Sequence, residues 1–428
     1  MRFSQIATRI RPEYYPGVAV IIAIAALLGF WLIVPGGSFN QNENADYVQF
    51  YLPVAQNIAH GNGITLDGKL ALDYPPGYPV ILAASFLLAN VTGMSEDLVM
   101  HLSIVLFFAL GALLIYFLAR KLWDPSGALL ASILWSCYPI VLWAARNPNT
   151  ELPFSVVLYA ALACMIAGWF SPKRSVIFFL LAGILCGIAM LIRPIAIGLG
   201  VLLAVITLFG SLHTLRKKVI LSLCLIAGNL VAIMPWELWI YSQTNQITPL
   251  CRGRDSYSMF DGLTFAVFNP PGSERKGVAV PQDVKMLMTD IVDKYAVKAQ
   301  TQAISSKDLA LVMINKGIKQ PITTLKLISI KIMRSWYATN TNRFETPILL
   351  IQLLYAILLL WAAVLLWRKR QELRWMLIVG GVLTCYFWGM TVIVLSIVRY
   401  MMPIFGVLLI FFPAILIKPS SPKEMTPH

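Results

Sequence analysis

Residues 16–34 read PGVAVIIAIAALLGFWLIV, an apolar run without a single charge. A helix that crosses a membrane needs about 20 such residues, each adding about 1.5 Å across a hydrocarbon core of about 30 Å. A signal-peptide core is shorter, about 7–15 residues, and no Ala-x-Ala cleavage pattern follows this run. It is read as a retained membrane helix. Of the 428 residues 58% are apolar and only 13% are charged, with a mean hydropathy of +0.73. A soluble domain carries roughly 25% charged residues. The sequence describes a polytopic, all-α membrane protein.

Working outward, the runs 17–35, 99–119, 126–145, 152–170, 175–191, 195–212, 219–241, 347–367, 374–395 and 402–417 predict about ten spanning helices. Basic residues recur at every second connector: Arg2, Arg9 and Arg11, then Arg120-Lys121, Lys173-Arg174, Arg216-Lys217-Lys218, Arg368-Lys369-Arg370 with Arg374, and Lys418 with Lys423. Positive charge favours the cytoplasmic side. Both termini are then cytoplasmic in a multi-pass protein of the cytoplasmic (inner) membrane. The long loops 36–98 and 242–346 face outward. The expected division is an N-terminal membrane module 1–241 carrying the first outer loop 36–98, an extracytoplasmic loop 242–346, and C-terminal membrane helices with a tail, 347–428.

Within the first loop, 45–58 predicts a short helix, and 79–90 is apolar but too short to span. The stretch 307–338 mixes apolar residues with Lys316, Lys319, Lys326, Lys331 and Arg334, a pattern that suits amphipathic helices on the outer membrane surface. The net charge of +14 lies in connectors between apolar runs, not on a basic face of a soluble module, so nucleic acid is not an expected partner. Six cysteines show no Cys-x-x-Cys spacing, and four scattered histidines offer no metal cluster. No phosphate-cradling Gly-x-x-x-x-Gly-Lys loop is present, which argues against an ATP-driven machine.

Chemistry-bearing residues collect in the outward connectors. Glu43 and Asp46 stand just after the first membrane helix, with Tyr47 and then Asp73-Tyr74-Pro75-Pro76-Gly77-Tyr78-Pro79 further on. A carboxylate at that place can accept the proton of a sugar hydroxyl as it attacks. It can equally be a helix-start charge that complements the dipole. Glu151 opens a helix at the next outward connector and carries the same two readings. Arg399-Tyr400, near the outer end of the ninth run, is costly at membrane depth unless it meets an anion such as a lipid-linked phosphate. A snorkelling interfacial arginine is the plainer alternative. Arg193 and Arg334 are lesser phosphate candidates, and Lys69 a lesser one still.

Taken in order, Asp46-Tyr47, the Tyr74–Pro79 string, Glu151, Arg193-Pro194, Pro235-Trp236 and Arg399-Tyr400 with Pro403 resemble the GT-C superfamily of membrane glycosyltransferases, in the branch of protein O-mannosyltransferases and the lipid A aminoarabinose transferase. The strings span nearly the whole chain, and their order is more specific than any one of them. The resemblance implies a polyprenyl-phosphate sugar donor, a lipid, glycan or protein acceptor, and transfer at the outer face. It implies that Asp46 is the catalytic acid of the first loop and that Glu151 is the acid of the second. Arg399, with Tyr400, Arg193, Arg334, Tyr47, Tyr74 and Lys69, would contact substrate. Divalent metal use varies across the superfamily, so a divalent metal ion stays open. Two departures stand out. Glu43 lies three residues before Asp46, where adjacent acids are common, and Glu237-Leu238-Trp239 stands where Arg-Asn often follows the Pro-Trp pair.

The rival reading is a transporter or flippase of a lipid-linked sugar. That class predicts ionisable residues within the spans and an internal repeat. No repeat is visible, and the acids avoid the apolar runs almost entirely.

Overall fold

A computed structural model describes residues 11–34, 46–210, 214–251, 259, 262–263, 280–301, 306–339 and 344–416. Helix α1 is Tyr15–Ile33, the run that opened the sequence reading. After it come a π-helical turn at Tyr47–Tyr51, helix α2 (Leu52–Ala59), and a two-stranded antiparallel ribbon of β1 (Thr65–Leu66) and β2 (Lys69–Leu70). Then follow α3 (Gly77–Thr92), α4 (Glu96–Ala119), α5 (Pro125–Ser136), α6 (Pro139–Ala144), α7 (Glu151–Phe170), α8 (Ser175–Ile192), α9 (Leu199–Phe209) and α10 (Leu215–Thr244). The chain continues through α11 (Gln282–Thr301), α12 (Ser306–Lys319), α13 (Pro321–Arg334), α14 (Glu345–Lys369), α15 (Arg374–Ile393) and α16 (Val398–Leu409).

Each of the ten predicted runs contains a helix, and among the described residues seven helices are long and apolar enough to cross a membrane. The other three are shorter. The run 126–145 breaks at Cys137-Tyr138, because Pro139 cannot continue a helix that precedes it, leaving α5 and α6. The run 195–212 loses its first turn to a left-handed Gly198, leaving the 11-residue α9. The run 402–417 contains α16, which begins early, at Val398. Arg399 and Tyr400 therefore lie in a helical first turn and not in the expected connector.

The chain forms two compact units. The first holds residues 1–250, 358–380 and 402–428. Its tightest contact is between α8 and α10. A Cβ added at Gly183 would lie 2.0 Å from Leu225 O, and one at Gly228 would lie 2.2 Å from Leu180 O. Only glycine lets these backbones meet, the small-residue packing that holds membrane helices together where lipid removes the hydrophobic drive. Tyr159 of α7 donates to Pro403 O at 2.8 Å, and Trp123 Nε1 donates to Ile410 O at 2.7 Å, which tie the last helix to the bundle. Large apolar side chains such as Leu32, Val91 and Phe209 stay exposed, as lipid-facing residues do.

The second unit holds residues 251–357 and 381–401. The stretch 307–338 forms two helices, divided at Pro321. Their amphipathic faces are partly consumed by each other: Leu309 and Val312 of α12 and Leu327 of α13 bury with Val284, Leu287, Met288 and Ile291 of α11. The end of α13 is pinned to α15, since Trp388 Nε1 donates to Ile332 O at 3.1 Å, and just beyond it Ala338 O accepts from Val398 N at the start of α16 at 2.9 Å.

Candidate active site

Five of the six strings singled out in the sequence meet at one end of the first unit. The sixth, Arg399-Tyr400, belongs to the second unit. Asp46 leads into the Tyr47–Tyr51 π-helical turn. Such turns carry one residue more than an α-turn, and they cluster at functional sites. Tyr74 donates its hydroxyl to Asp46 Oδ1 at 2.7 Å. Its ring lies 4.7 Å from that of Phe50 and 4.8 Å from that of Tyr51. Tyr51 in turn stands edge-on to Tyr78 at 5.0 Å.

Tyr78 links this aromatic layer to the second acid. Burial pushes its hydroxyl well above the ordinary tyrosine range, and the charges of Tyr47, Glu151 and Tyr51 add to the shift. It is thus held as a neutral phenol near the Glu151 carboxylate. Glu151, at the start of α7, is 1% exposed and meets Arg193 at 2.7 Å. Arg193 is 7% exposed and follows the last turn of α8. A buried pair of this kind neutralises itself, and removing one member leaves an uncompensated charge. Arg193, expected as a phosphate ligand, has its charge matched by Glu151.

Gly77 explains how the acid's loop reaches this place. A Cβ there would lie 2.6 Å from the carbonyl of Leu191 and 2.9 Å from Ile192 N. The start of α3 therefore presses backbone to backbone on the end of α8, one residue before Arg193. Pro75 and Pro76 fix the approach, since neither can donate a backbone hydrogen bond. Leu72 packs with Trp236 and Ile240 of α10, flanked by Ile64, Leu191 and Trp239.

The departure at Glu237 has a structural task. Its Oε1 accepts Leu250 N–H at 2.8 Å, while Trp236 Nε1 donates to Leu250 O, also at 2.8 Å. Together they clamp a residue whose φ of +61° is strained for leucine.

The remaining candidates are distributed. Tyr47 is buried and donates to Met100 Sδ at 2.9 Å, so packing engages its hydroxyl. Lys69 is exposed in the β1–β2 ribbon. In the second unit, Arg399 stands over the Tyr400 ring at 5.6 Å, and Tyr400 packs against Ala338, Leu395 and Ile397. Arg334 is 3% exposed and bidentate to Glu345, at 3.2 and 3.0 Å. Glu43 lies outside the described residues. Among the described residues no three carboxylate, imidazole or thiol groups gather into a metal-holding cluster. Sequence reasoning missed the Glu151–Arg193 pairing and the close approach at Gly77. The density of tyrosines in Tyr47–Tyr51 and Tyr74–Tyr78 was the signal that could have exposed the aromatic layer.

Residues 73–239 match the sequence model of the dolichyl-phosphate-mannose-protein mannosyltransferase family. No curated protein matches the chain significantly. Among solved structures, the fold aligns with the archaeal oligosaccharyltransferase AglB from Archaeoglobus fulgidus, solved with an inhibitory peptide and a dolichol-phosphate, at a TM-score of 0.52 and 13% identity. The alignment covers 94% of this chain and 50% of that one, so this chain spans about half the length of the archaeal enzyme. A second structure of the Archaeoglobus fulgidus oligosaccharyltransferase, tethered to an acceptor peptide, aligns at 0.52 and 14% identity over 94% and 49% of the two chains. ArnT from Cupriavidus metallidurans, bound to undecaprenyl phosphate, aligns at 0.41 and 15% identity over 92% of this chain and 76% of its own. The chain is thus an integral membrane protein that shares the fold of the archaeal oligosaccharyltransferase, and its segment 73–239 carries the sequence pattern of the dolichyl-phosphate-mannose-protein mannosyltransferase family.

Proposed function

We propose that this protein is a membrane glycosyltransferase that moves a sugar from a polyprenyl-phosphate donor to an acceptor hydroxyl at the extracytoplasmic face of the cytoplasmic membrane. The observation that carries the reading is the Asp46 carboxylate held by Tyr74 at 2.7 Å, at the end of the bundle where α3, α7 and α8 converge. An acceptor hydroxyl is a poor nucleophile. Asp46 takes its proton as oxygen attacks the anomeric carbon, and the lipid phosphate departs with the bonding electron pair. Glu151 acts through Arg193, fixing the end of α8 on which the Asp46 loop rests. Arg399 and Tyr400 serve the donor phosphate, whose charge grows as the sugar leaves. The family match over 73–239 and the dolichol-phosphate in the archaeal structure of similar fold support a lipid-phosphate donor.

The test is mass spectrometry of envelope glycans and lipid-linked sugars from cells carrying the wild-type protein or Asp46→Asn. The variant should lose one glycan sugar and accumulate its lipid-linked donor. Normal expression of Asp46→Asn with unchanged glycans would falsify the assignment.

A further inference from the structure

Helices α12 and α13 of the second unit are apolar on two opposite sides. One side of each is spent in the unit's own core, where Leu309 and Val312 of α12 and Leu327 of α13 bury against α11. The other side is bare. On α12 it shows Leu311, Ile314 and Ile318, and on α13 it shows Ile322, Leu325 and Met333. Ile318 and Ile322, either side of the turn between the helices, are each 73% exposed. Steps of three and four along a helix keep one face, so each set forms a stripe. A shallow groove of about 410 Å³ lies along the α13 stripe, lined by Pro281, Ile322, Leu325, Lys326, Ser329 and Ile330. Charge does not oppose contact here. Lys316 pairs with Asp290 of α11, and Lys326 with Asp283 at 2.7 Å.

What covers the stripes follows from where α13 ends. Trp388 of α15 donates to Ile332 O at 3.1 Å, and its ring stands edge-on to that of Trp336 at 5.3 Å. The run that contains α15 is long and apolar enough to cross a membrane, and it ends at Ile393. Trp388 lies one to two turns before that end, about 7.5 Å at 1.5 Å per residue. The end of α13 is therefore at interfacial depth. Tryptophan gathers at that level, and an amphipathic helix sinks its apolar side there by about 5–10 Å. The same unit already turns an apolar face to lipid on α14, where Leu350, Leu353, Leu354 and Ile357 are exposed. We propose that α12 and α13 form a two-helix dock on the membrane leaflet at that end of α15, with both stripes sunk among the acyl chains. The partner is bulk phospholipid, not a substrate lipid and not a second protein. Apolar burial drives the contact, because Lys316 and Lys326 are already matched within the unit. The dock does not rest on the glycosyltransferase reading.

The test puts the photocrosslinker p-benzoylphenylalanine in place of Ile318 or Leu325 of the full-length protein. Intact membranes are irradiated, and the purified protein is weighed by mass spectrometry. Both positions should gain the mass of a phospholipid. Crosslinking to a protein at either position, or no adduct at both, overturns the proposal. Ile322→Asp combined with Leu325→Asp, probed at Ile318, should lose most of the lipid adduct. The same double variant should keep the wild-type melting temperature in micelles, because both side chains stand outside the unit's core. An unchanged adduct overturns apolar docking, and a lowered melting temperature overturns the claim that the stripe is free of the core. Salt at about 1 M should leave the adduct yield unchanged, whereas its loss would make the contact electrostatic and overturn the apolar account. Asp46→Asn should crosslink like wild type while failing in transfer, so the two readings fail separately.

Discussion

The Asp46 end of the first unit and the α13 face of the second both bury charge, but they balance it differently. In the first, Arg193 neutralises Glu151, while Asp46 keeps its charge and takes a hydrogen bond from Tyr74. In the second, Glu345 neutralises Arg334, and no carboxylate among the described residues pairs with the neighbouring Lys331.

The comparison breaks most sharply at Asp46. Replacing it by asparagine should lower turnover by about 10²–10⁴-fold, as loss of a general base does, with little change in stability. Arg193→Met should strand Glu151 and destabilise the protein by about 3–5 kcal/mol, read by denaturation in micelles. Adding Glu151→Gln should restore much of that stability, because the stranded charge is removed. If the single and double variants melt together, the pair is not a closed unit. Gly77→Ala should cost about 1–3 kcal/mol, since the backbones of α3 and α8 must part to admit a methyl group. Its transfer rate should fall further than its stability alone explains. Tyr74→Phe should reduce kcat by about tenfold, with melting shifted by no more than about 1 kcal/mol. An unchanged kcat would show that Asp46 does not depend on that hydroxyl.

The last effect concerns Lys331 and is read against pH. Its amine titrates near 8 in the folded protein and near the ordinary 10.5 when unfolded. Between those values the unfolded chain binds more protons, so stability should rise as pH climbs from about 8 to 10.5, and Lys331→Met should flatten that rise. A wild-type stability curve with no such slope would mean that Lys331 is hydrated after all.

Much of this was legible from residue types. Apolar runs located the seven long apolar helices found among the described residues, because hydropathy reports burial in lipid directly. Span lengths were harder, since Pro139 and Gly198 end helices by backbone geometry without lowering hydropathy. The order of Asp46, Tyr74–Pro79, Glu151, Arg193 and Trp236 foretold their meeting at one end, because alternate connectors of a membrane bundle share a side. The use of each charge was not legible. Arg193 and Arg334 look alike in sequence to an arginine that awaits phosphate, and only coordinates give them Glu151 and Glu345. Lys331 looked like one of several lysines on an amphipathic helix. Its burial is set by what packs over α13, which no local pattern records. Glu237 read as a departure from the family pattern, yet it secures Leu250 by accepting its N–H.

The π-helical turn after Asp46 has a consequence for how the protein can change. One residue of an α-helix corresponds to about 100° of rotation. Losing one residue of a regular helix would therefore swing the carboxylate about a quarter-turn away from Tyr74. Losing the extra residue of the wider turn between Tyr47 and Tyr51 instead leaves an α-turn of nearly the same angular span, so this is the place in the segment where a three-nucleotide deletion would best preserve the direction of Asp46.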